Sequence, residues 1–192
     1  MTQWLNLLGW TACVLYSTIP SFWLLIHPRV NYWRSRKRPY LILLPLWITM
    51  WIMLGLLTSR WRHATLYTTP WTWLPAILLF STGLWIYAQS GKHFSPAQLG
   101  GLPEVLPSHD EQRLITTGIR SRVRHPVYLA HLCEMLAWSL GTGLAVCYGL
   151  MAFAMLTGAV MIRLEDRELE QRFGEPYRDY RRKVSAILPR PV

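Results

Sequence analysis

The chain has 192 residues, of which 52% are hydrophobic, and it contains 11 Trp and 9 Tyr. Long uncharged stretches with this aromatic content are atypical of a soluble domain and indicate a membrane protein. The formal net charge of +10 could suggest a nucleic-acid partner, but no nucleic-acid-binding motif accompanies the charge.

The basic residues are concentrated in alternate segments between the apolar stretches. All but Arg60 and Arg62 of the 20 lie in residues 27–39, in residues 90–124, or after Ile162. Basic loops face the cytoplasm, where anionic headgroups attract them. We therefore expect an outside N-terminus, a cytoplasmic C-terminus and a location in a bacterial inner membrane or an equivalent cell membrane. Membrane lipids are the expected neighbours, without nucleic acid or an obligate protein partner.

Five apolar stretches approach the length that a helix needs to cross a bilayer. They are Trp4–Ile26, Leu41–Leu57, Trp71–Ala88, Val127–Leu140 and Leu144–Ile162. The predicted fold class is an all-α integral membrane protein with about five transmembrane helices, in a single domain over residues 1–192. Its parts are three N-terminal spans (1–89), a cytoplasmic loop (90–126), a two-span hairpin turning at Gly141-Thr142-Gly143 (127–163) and cytoplasmic helices (164–192). Residues 27–39 are expected to form a loop.

The polar segment 90–124 leads directly into Arg124-His125-Pro126-Val127-Tyr128. Pro is favoured at a first helical position, because its missing N–H would have no partner there. We therefore predict that the fourth span begins at Pro126. The unpaired N–H groups of this helix end suit a carboxylate or phosphate ligand, and a plain membrane-insertion cap is the alternative.

The chain becomes strongly charged after Ile162 but keeps an apolar stripe at near-helical spacing. The stripe consists of Leu164, Phe173, Tyr177, Tyr180 and Val184. Gly174 and Pro176 predict a break, because Gly suits a helix end and Pro a helix start. We expect the fifth helix to extend to Phe173 and a short amphipathic helix from Pro176 to fold back. The alternative is a solvated tail with an interfacial helix.

The hairpin should bring the start of the fourth span and the end of the fifth to one membrane face. Arg124, His125 and Tyr128 would then lie near Arg163 and Glu165. This group suits a ligand with a carboxylate and ribose hydroxyls, since a buried acid can accept hydrogen bonds from a ribose diol. The alternative is a structural ion pair of Arg163.

Glu134 is the only acidic residue inside a predicted span, with His131 one helical turn before it. Ionisable groups inside a membrane are costly and are functional candidates for that reason. The alternative is that His131 and Glu134 satisfy one another.

Several common site signatures are missing from the sequence. There is no G-x-G-x-x-G motif, P-loop, H-E-x-x-H motif or G-x-S-x-G nucleophile elbow. The three Cys lie inside apolar stretches without metal-ligand spacing, so we predict neither a metal site nor disulfides.

Two motifs resemble a known family. The first is similar to the first motif of isoprenylcysteine carboxyl methyltransferases and bacterial phospholipid methyltransferases. It consists of Leu114-Ile115-Thr116-Thr117-Gly118, followed by Val123-Arg124-His125-Pro126-Val127-Tyr128. The second resembles the family's C-terminal motif. It reads Glu165-Asp166-x-x-Leu169-x-x-x-Phe173-Gly174-x-x-Tyr177-x-x-Tyr180-x-x-x-Val184 and ends at Pro189. Arg120 departs from the Tyr that is usual in the family, and Glu165-Asp166 departs from a pair of Glu.

The resemblance implies a methyltransferase that uses S-adenosylmethionine and releases S-adenosylhomocysteine. Its cytoplasmic cofactor pocket would be built from the last two spans, the loop before them and the C-terminal helices. The implied cofactor-binding residues are Leu114, Ile115, Gly118, Arg124, His125, Pro126, Tyr128 and Glu165. Arg163 and Glu165 are the implied catalytic residues, and Arg163 and Glu134 the acceptor-binding residues.

The acceptor is left open by the sequence. A lipid or lipidated small molecule is expected: an isoprenylcysteine-type carboxylate, a phospholipid amine, a lipidic thiol derivative or a small hydrophobic thiol. Two other functions are alternatives. One is an NADPH-dependent reductase related to sterol reductases, in which Arg120, Arg122 and Arg124 would bind the 2′-phosphate. The other is a non-catalytic membrane scaffold.

Overall fold

The computed structural model describes residues 2–91 and 114–189. Its regular elements within these ranges are helices, and two isolated β-bridges connect distant segments. The α-helices are α1 (Thr2–Ile26), α2 (Val30–Arg34), α3 (Tyr40–Thr58), α4 (Trp73–Gly91), α5 (Pro126–Thr142), α6 (Ala145–Phe173) and α7 (Glu175–Lys183). The predicted all-α class is confirmed for this part of the chain, and most of the polar loop 90–126 lies outside the described residues.

Four helical stretches in the described ranges are long and apolar enough to cross a membrane. They are Gln3–Arg34, Tyr40–Trp61, Pro70–Gly91 and Ala145–Phe173. Helix α5 has only 17 residues and carries the buried Glu134, so its length and composition alone do not identify it as a membrane span. The architecture is that of a multi-pass helical membrane protein.

Helices α1, α5 and α6 form the centre of the bundle. Helix α4 packs most extensively against α5, α1 packs against α6 and α5, and α3 packs against α1. The main core joins Trp10, Cys13 and Val14 of α1 to Met135 of α5 and Cys147 of α6.

The prediction that residues 27–39 form a loop is wrong for their first part. A 3-10 turn at His27–Arg29 is followed directly by α2. The indole N–H of Trp33 donates to the carbonyl of Leu25 at 3.0 Å, and its ring packs in a cluster with Ile26 and Leu43. This aromatic anchor ties the helical continuation back onto the end of α1.

The two sharp turns that frame α6 are both made by glycine. Helix α5 extends through Thr142, beyond the predicted start of the turn, and Gly143 then adopts a φ of +65°. Gly174 has a φ of +63° and separates α6 from α7. The predicted extension of the helix to Phe173 and the break that follows it are therefore confirmed.

Candidate functional site

Three distant segments meet where α5 begins. The backbone N–H groups of Arg124 and His125 donate to the carbonyls of Ser185 and Ala186, at 2.8 and 2.9 Å. Val123 and Ser185 form a parallel bridge. The segment after α7 therefore runs beside the start of α5, and the last turns of α6 lie next to both.

His125 lies between two carboxylates. Its Nδ1 is 3.3 Å from Oε2 of Glu165 and its Nε2 is 3.2 Å from Oδ1 of Asp166, while the side chain is only 3% exposed. Burial by itself would lower the pKa of His125, but the charge of Glu165 and the hydrogen bond to Asp166 outweigh it and raise the pKa to about 9. His125 is therefore an imidazolium at neutral pH, with both nitrogens protonated.

Asp166 joins this histidine to the C-terminal segments. It is 4% exposed and accepts hydrogen bonds from His125, from Arg124 at 2.7 Å and from the hydroxyl of Tyr177. We refer to Asp166, Arg124, His125 and Tyr177 as the Asp166 cluster. Arg124 also donates to the carbonyl of Val184, so the cluster holds α6, α7 and the start of α5 together. Sequence reasoning gave Asp166 no role of its own, although its place beside Glu165 in an acidic pair was a signal.

Glu165 differs from Asp166 because one of its oxygens has no hydrogen bond. Its Oε2 is buried, and although His125 is 3.3 Å away, no donor in the described parts of the chain is aligned with it. A buried acceptor without a donor is uncommon in folded proteins, and a bound ligand is one explanation for it.

A cavity of about 520 Å³ opens beside these residues. It lies between α1, α5, α6 and the segment after α7. Its lining residues are Tyr16, Pro20, Tyr128, His131, Leu132, Met135, Ala154, Met155, Gly158, Ala159, Ile162, Arg163, Asp166, Ala186, Ile187 and Leu188. The volume is within the range of about 300–1,000 Å³ that is usual for ligand sites, and most of the lining is apolar.

Two of the predicted site residues line this cavity. The ring of Tyr128 stacks on His125 with centroids 5.7 Å apart, and its hydroxyl donates to the sulfur of Met161 at 3.3 Å. Arg163 is an exposed cation at the edge of the cavity, and no carboxylate in the described residues forms an ion pair with it. The structural ion pair of Arg163, which was the alternative to a ligand site, is therefore absent from residues 2–91 and 114–189.

Four residues of the first motif have structural positions outside the cavity. Leu114 packs against Tyr177 and Tyr180 of α7, and Ile115 beside it is half-buried. Gly118, with a φ of +63°, starts a 3-10 turn. Pro126 is the buried first residue of α5, as predicted. None of these four residues is part of the cavity wall.

Glu134 lies deeper in the bundle than the Asp166 cluster. The hydroxyl of Tyr16 donates to its Oε2, whereas its buried Oε1 has no hydrogen-bond donor in the described ranges. A Cβ at Gly83 would come within 3.4 Å of that oxygen, so Glu134 faces α4 beside the cavity. The partner of Glu134 is therefore Tyr16 and not His131. Sequence reasoning missed Tyr16, because the first span carries no motif.

Comparisons with known proteins give relatives for part of the chain. A methanethiol S-methyltransferase of Mycobacterium tuberculosis is 39% identical over 72 residues, which cover 36% of this chain and 28% of the relative. A probable protein-S-isoprenylcysteine O-methyltransferase of Oryza sativa subsp. indica is 34% identical over 85 residues, which cover 42% of each chain. An uncharacterized protein of Haemophilus influenzae is 36% identical over 63 residues, which are its whole length and 32% of this chain.

The matched region therefore spans well under half of each named methyltransferase. No family model and no solved structure matches the chain. The named relatives nevertheless agree with the two motifs, and the structure brings those motifs into contact through the Asp166 cluster. Over the matched residues, the chain is therefore similar to methyltransferases that are named for methanethiol and for an isoprenylcysteine.

Proposed function

We propose that the chain is an integral-membrane methyltransferase that transfers a methyl group from S-adenosylmethionine to a hydrophobic or lipidic acceptor. The observation that carries this proposal is the buried Oε2 of Glu165, an acceptor without a donor in the described structure. A ribose diol is a suitable donor for such a carboxylate oxygen. His125 is 3.3 Å from this oxygen, and Tyr128, which stacks on His125, lines the cavity.

The proposed membrane arrangement has five spans. Helix α5 would be the fourth. It packs against both α4 and α1, so less of its surface faces lipid and fewer of its residues need to be apolar. The basic segments would then face the cytoplasm, with the N-terminus outside and the C-terminus inside. In this arrangement the cavity, the Asp166 cluster and α7 lie at the cytoplasmic membrane face.

The cofactor supplies an electrophilic methyl group on a sulfonium, and the residues of this chain would position it and exclude water. Methyl transfer is an in-line displacement, so alignment and desolvation contribute most of the acceleration. Glu165 would hold the ribose, with the first motif and the N-terminus of α5 around the remaining polar groups. His125 is a cation within 3.3 Å of Glu165 and 3.2 Å of Asp166, so its part is to keep Glu165 ionised by its charge and not to act as a base.

The acceptor would enter from the apolar side of the cavity. The relatives are named for methanethiol and for an isoprenylcysteine, and both are hydrophobic molecules that suit an apolar wall. Arg163 stands at the edge of the cavity, where it can orient an anionic group of the acceptor. Glu134 would contribute indirectly, through the Tyr16 hydroxyl that it holds at the cavity wall.

The test is calorimetric titration of the detergent-purified protein with S-adenosylhomocysteine and, separately, with NADPH. We expect S-adenosylhomocysteine to bind and the Glu165→Gln variant to bind it at least about tenfold more weakly, because a hydrogen bond to a charged group contributes about 1.5–3 kcal/mol. Glu175→Gln is the matched control, since Glu175 is exposed on α7 and its ion pairs within the described residues are with exposed arginines.

The possible outcomes separate the functions. Equal binding by the two variants would refute the role of Glu165. Binding of NADPH alone would indicate a reductase. If neither ligand bound to a protein that elutes as a single folded species, the methyltransferase proposal would fail and a scaffold would remain.

A further inference from the structure

His131 is a second histidine at the cavity, and the mechanism above does not use it. It lies on α5 between Tyr128 and Glu134, and it forms part of the cavity wall. Three tyrosine rings surround the imidazole, with centroid distances of 5.1 Å to Tyr16, 5.5 Å to Tyr87 and 6.3 Å to Tyr128.

None of these tyrosines satisfies the imidazole nitrogens. The hydroxyl of Tyr16 donates to Glu134, and that of Tyr128 donates to the sulfur of Met161. No hydrogen bond or ion pair reaches His131 from any residue that the structure describes. A neutral imidazole has one ring nitrogen with a free lone pair, and the ring of His131 belongs to the wall of the cavity.

His125 differs from His131 in the one property that matters for proton transfer. It is an imidazolium between Glu165 and Asp166, so it has no lone pair to offer. No carboxylate in residues 2–91 and 114–189 forms a hydrogen bond or an ion pair with His131, and Glu134 one turn away is engaged by Tyr16. Of the two histidines, only His131 can take up a proton.

We propose that His131 accepts the proton of a neutral thiol acceptor during methyl transfer, an inference that rests on the proposed function. The thiol sulfur forms its new bond to the methyl carbon while its S–H bond breaks. The proton passes to the free nitrogen of His131, and the electron pair of the broken methyl–sulfur bond stays on the departing sulfur. A thiol must lose its proton to be a good nucleophile, whereas a carboxylate acceptor needs no base.

The surroundings of His131 favour a thiol over an amine. The cavity wall nearest to it is built from residues such as Leu132, Met135 and Ala159, which suit an uncharged acceptor. An amine is an ammonium ion at neutral pH and would require a free carboxylate. Asp166, the acidic residue of this wall, is already bound to Arg124, His125 and Tyr177. Glu134 and Glu165 each have an oxygen without a donor in the described residues, but neither residue belongs to the cavity wall.

The experiment compares His131→Gln with wild type on two thiols. The first is hexanethiol, which is protonated at neutral pH, and the second is 4-nitrothiophenol, which is already a thiolate. We expect kcat with hexanethiol to fall about 10²–10⁴-fold, the usual contribution of a general base, and kcat with 4-nitrothiophenol to remain close to wild type. S-Adenosylhomocysteine binding, measured by calorimetry, should not change. The matched control is His63→Gln, in the exposed loop between α3 and α4.

Other results would overturn the proposal. Equal losses with both thiols would mean that His131 only shapes the cavity, and no loss with hexanethiol would mean that it takes no proton. If His131→Gln lost activity only with hexadecylamine as the acceptor, the proton would come from an amine and not from a thiol. The proposed function is tested separately by the calorimetry: if S-adenosylhomocysteine binds and His131→Gln has no effect, this inference fails alone.

Discussion

Replacing Asp166 by Asn should detach the C-terminal segment from the start of α5. The substitution keeps the size of the side chain but removes the charge that faces the buried Arg124 and His125. The amide would also place an NH₂ group where the carboxylate now accepts hydrogen bonds. The two cations would then remain in a site that is 7% and 4% exposed.

Breaking a buried ion pair from one side costs about 3–5 kcal/mol, because the partner charge remains buried without compensation. Asp166 holds one guanidinium, one imidazolium and the hydroxyl of Tyr177, but Glu165 remains beside His125, so the lower part of this range, about 3–4 kcal/mol, is appropriate. Since about 1.4 kcal/mol corresponds to a tenfold change in an equilibrium constant, the open state should become populated about 10²–10³-fold more.

Hydrogen exchange measures this opening directly. The amides of Arg124 and His125 donate to Ser185 and Ala186, so they exchange only when the segment after α7 separates. We expect these two amides to exchange about 10²–10³-fold faster in Asp166→Asn. Asp179→Asn is the control, because Asp179 is exposed and its ion pair in the described part of the chain is with the exposed Arg182. Similar exchange in the two variants would refute the reasoning.

Three further predictions concern stability, measured as thermal unfolding of the detergent-purified protein. The pKa of His125 rises from 6.5 to about 9 on folding, so its contribution of up to about 3 kcal/mol is complete below pH 6.5 and is lost as the pH rises through 9. A flat pH profile between these values would contradict it. Gly143→Ala should destabilise by about 1–3 kcal/mol, because a Cβ there would clash with the carbonyl oxygen of Tyr67 at a φ of +65°, whereas Gly149→Ala, with nothing within 4 Å, should not. Tyr16→Phe should cost about 1–3 kcal/mol by leaving the Glu134 carboxylate without a donor, and Glu134→Gln in the same chain should recover part of that loss.

Local rules predicted the parts of the fold that local chemistry determines. Pro126 marks the start of α5, and Gly174 marks the end of α6, because each residue has a backbone preference that acts at its own position. The same rules missed α2, since the interaction that holds it is made by Trp33 with residues of α1 and α3. Periodicity does not encode such long-range anchors.

The motifs indicated some residues of the candidate site, but the contacts between its residues could not be predicted. The motifs pointed to His125 and Glu165, and the structure does bring these two side chains together. The pairing of Arg124 with Asp166 and the contact of Tyr16 with Glu134 were not predictable, because they join positions 42 and 118 residues apart. The spacing of residues along the sequence does not indicate which buried donor forms a hydrogen bond with which buried acceptor.

The late position of residues 184–188 in the chain has a consequence for biosynthesis. Arg124 donates to the carbonyl of a residue that is translated 60 residues later, and Ala186, Ile187 and Leu188 form one wall of the cavity. The helices α1 to α6 are synthesised before that wall. Domains fold as their residues emerge from the ribosome, so the bundle can begin to assemble before the cavity is complete. A nascent chain can form the whole cavity only after residues 186–188 have been synthesised.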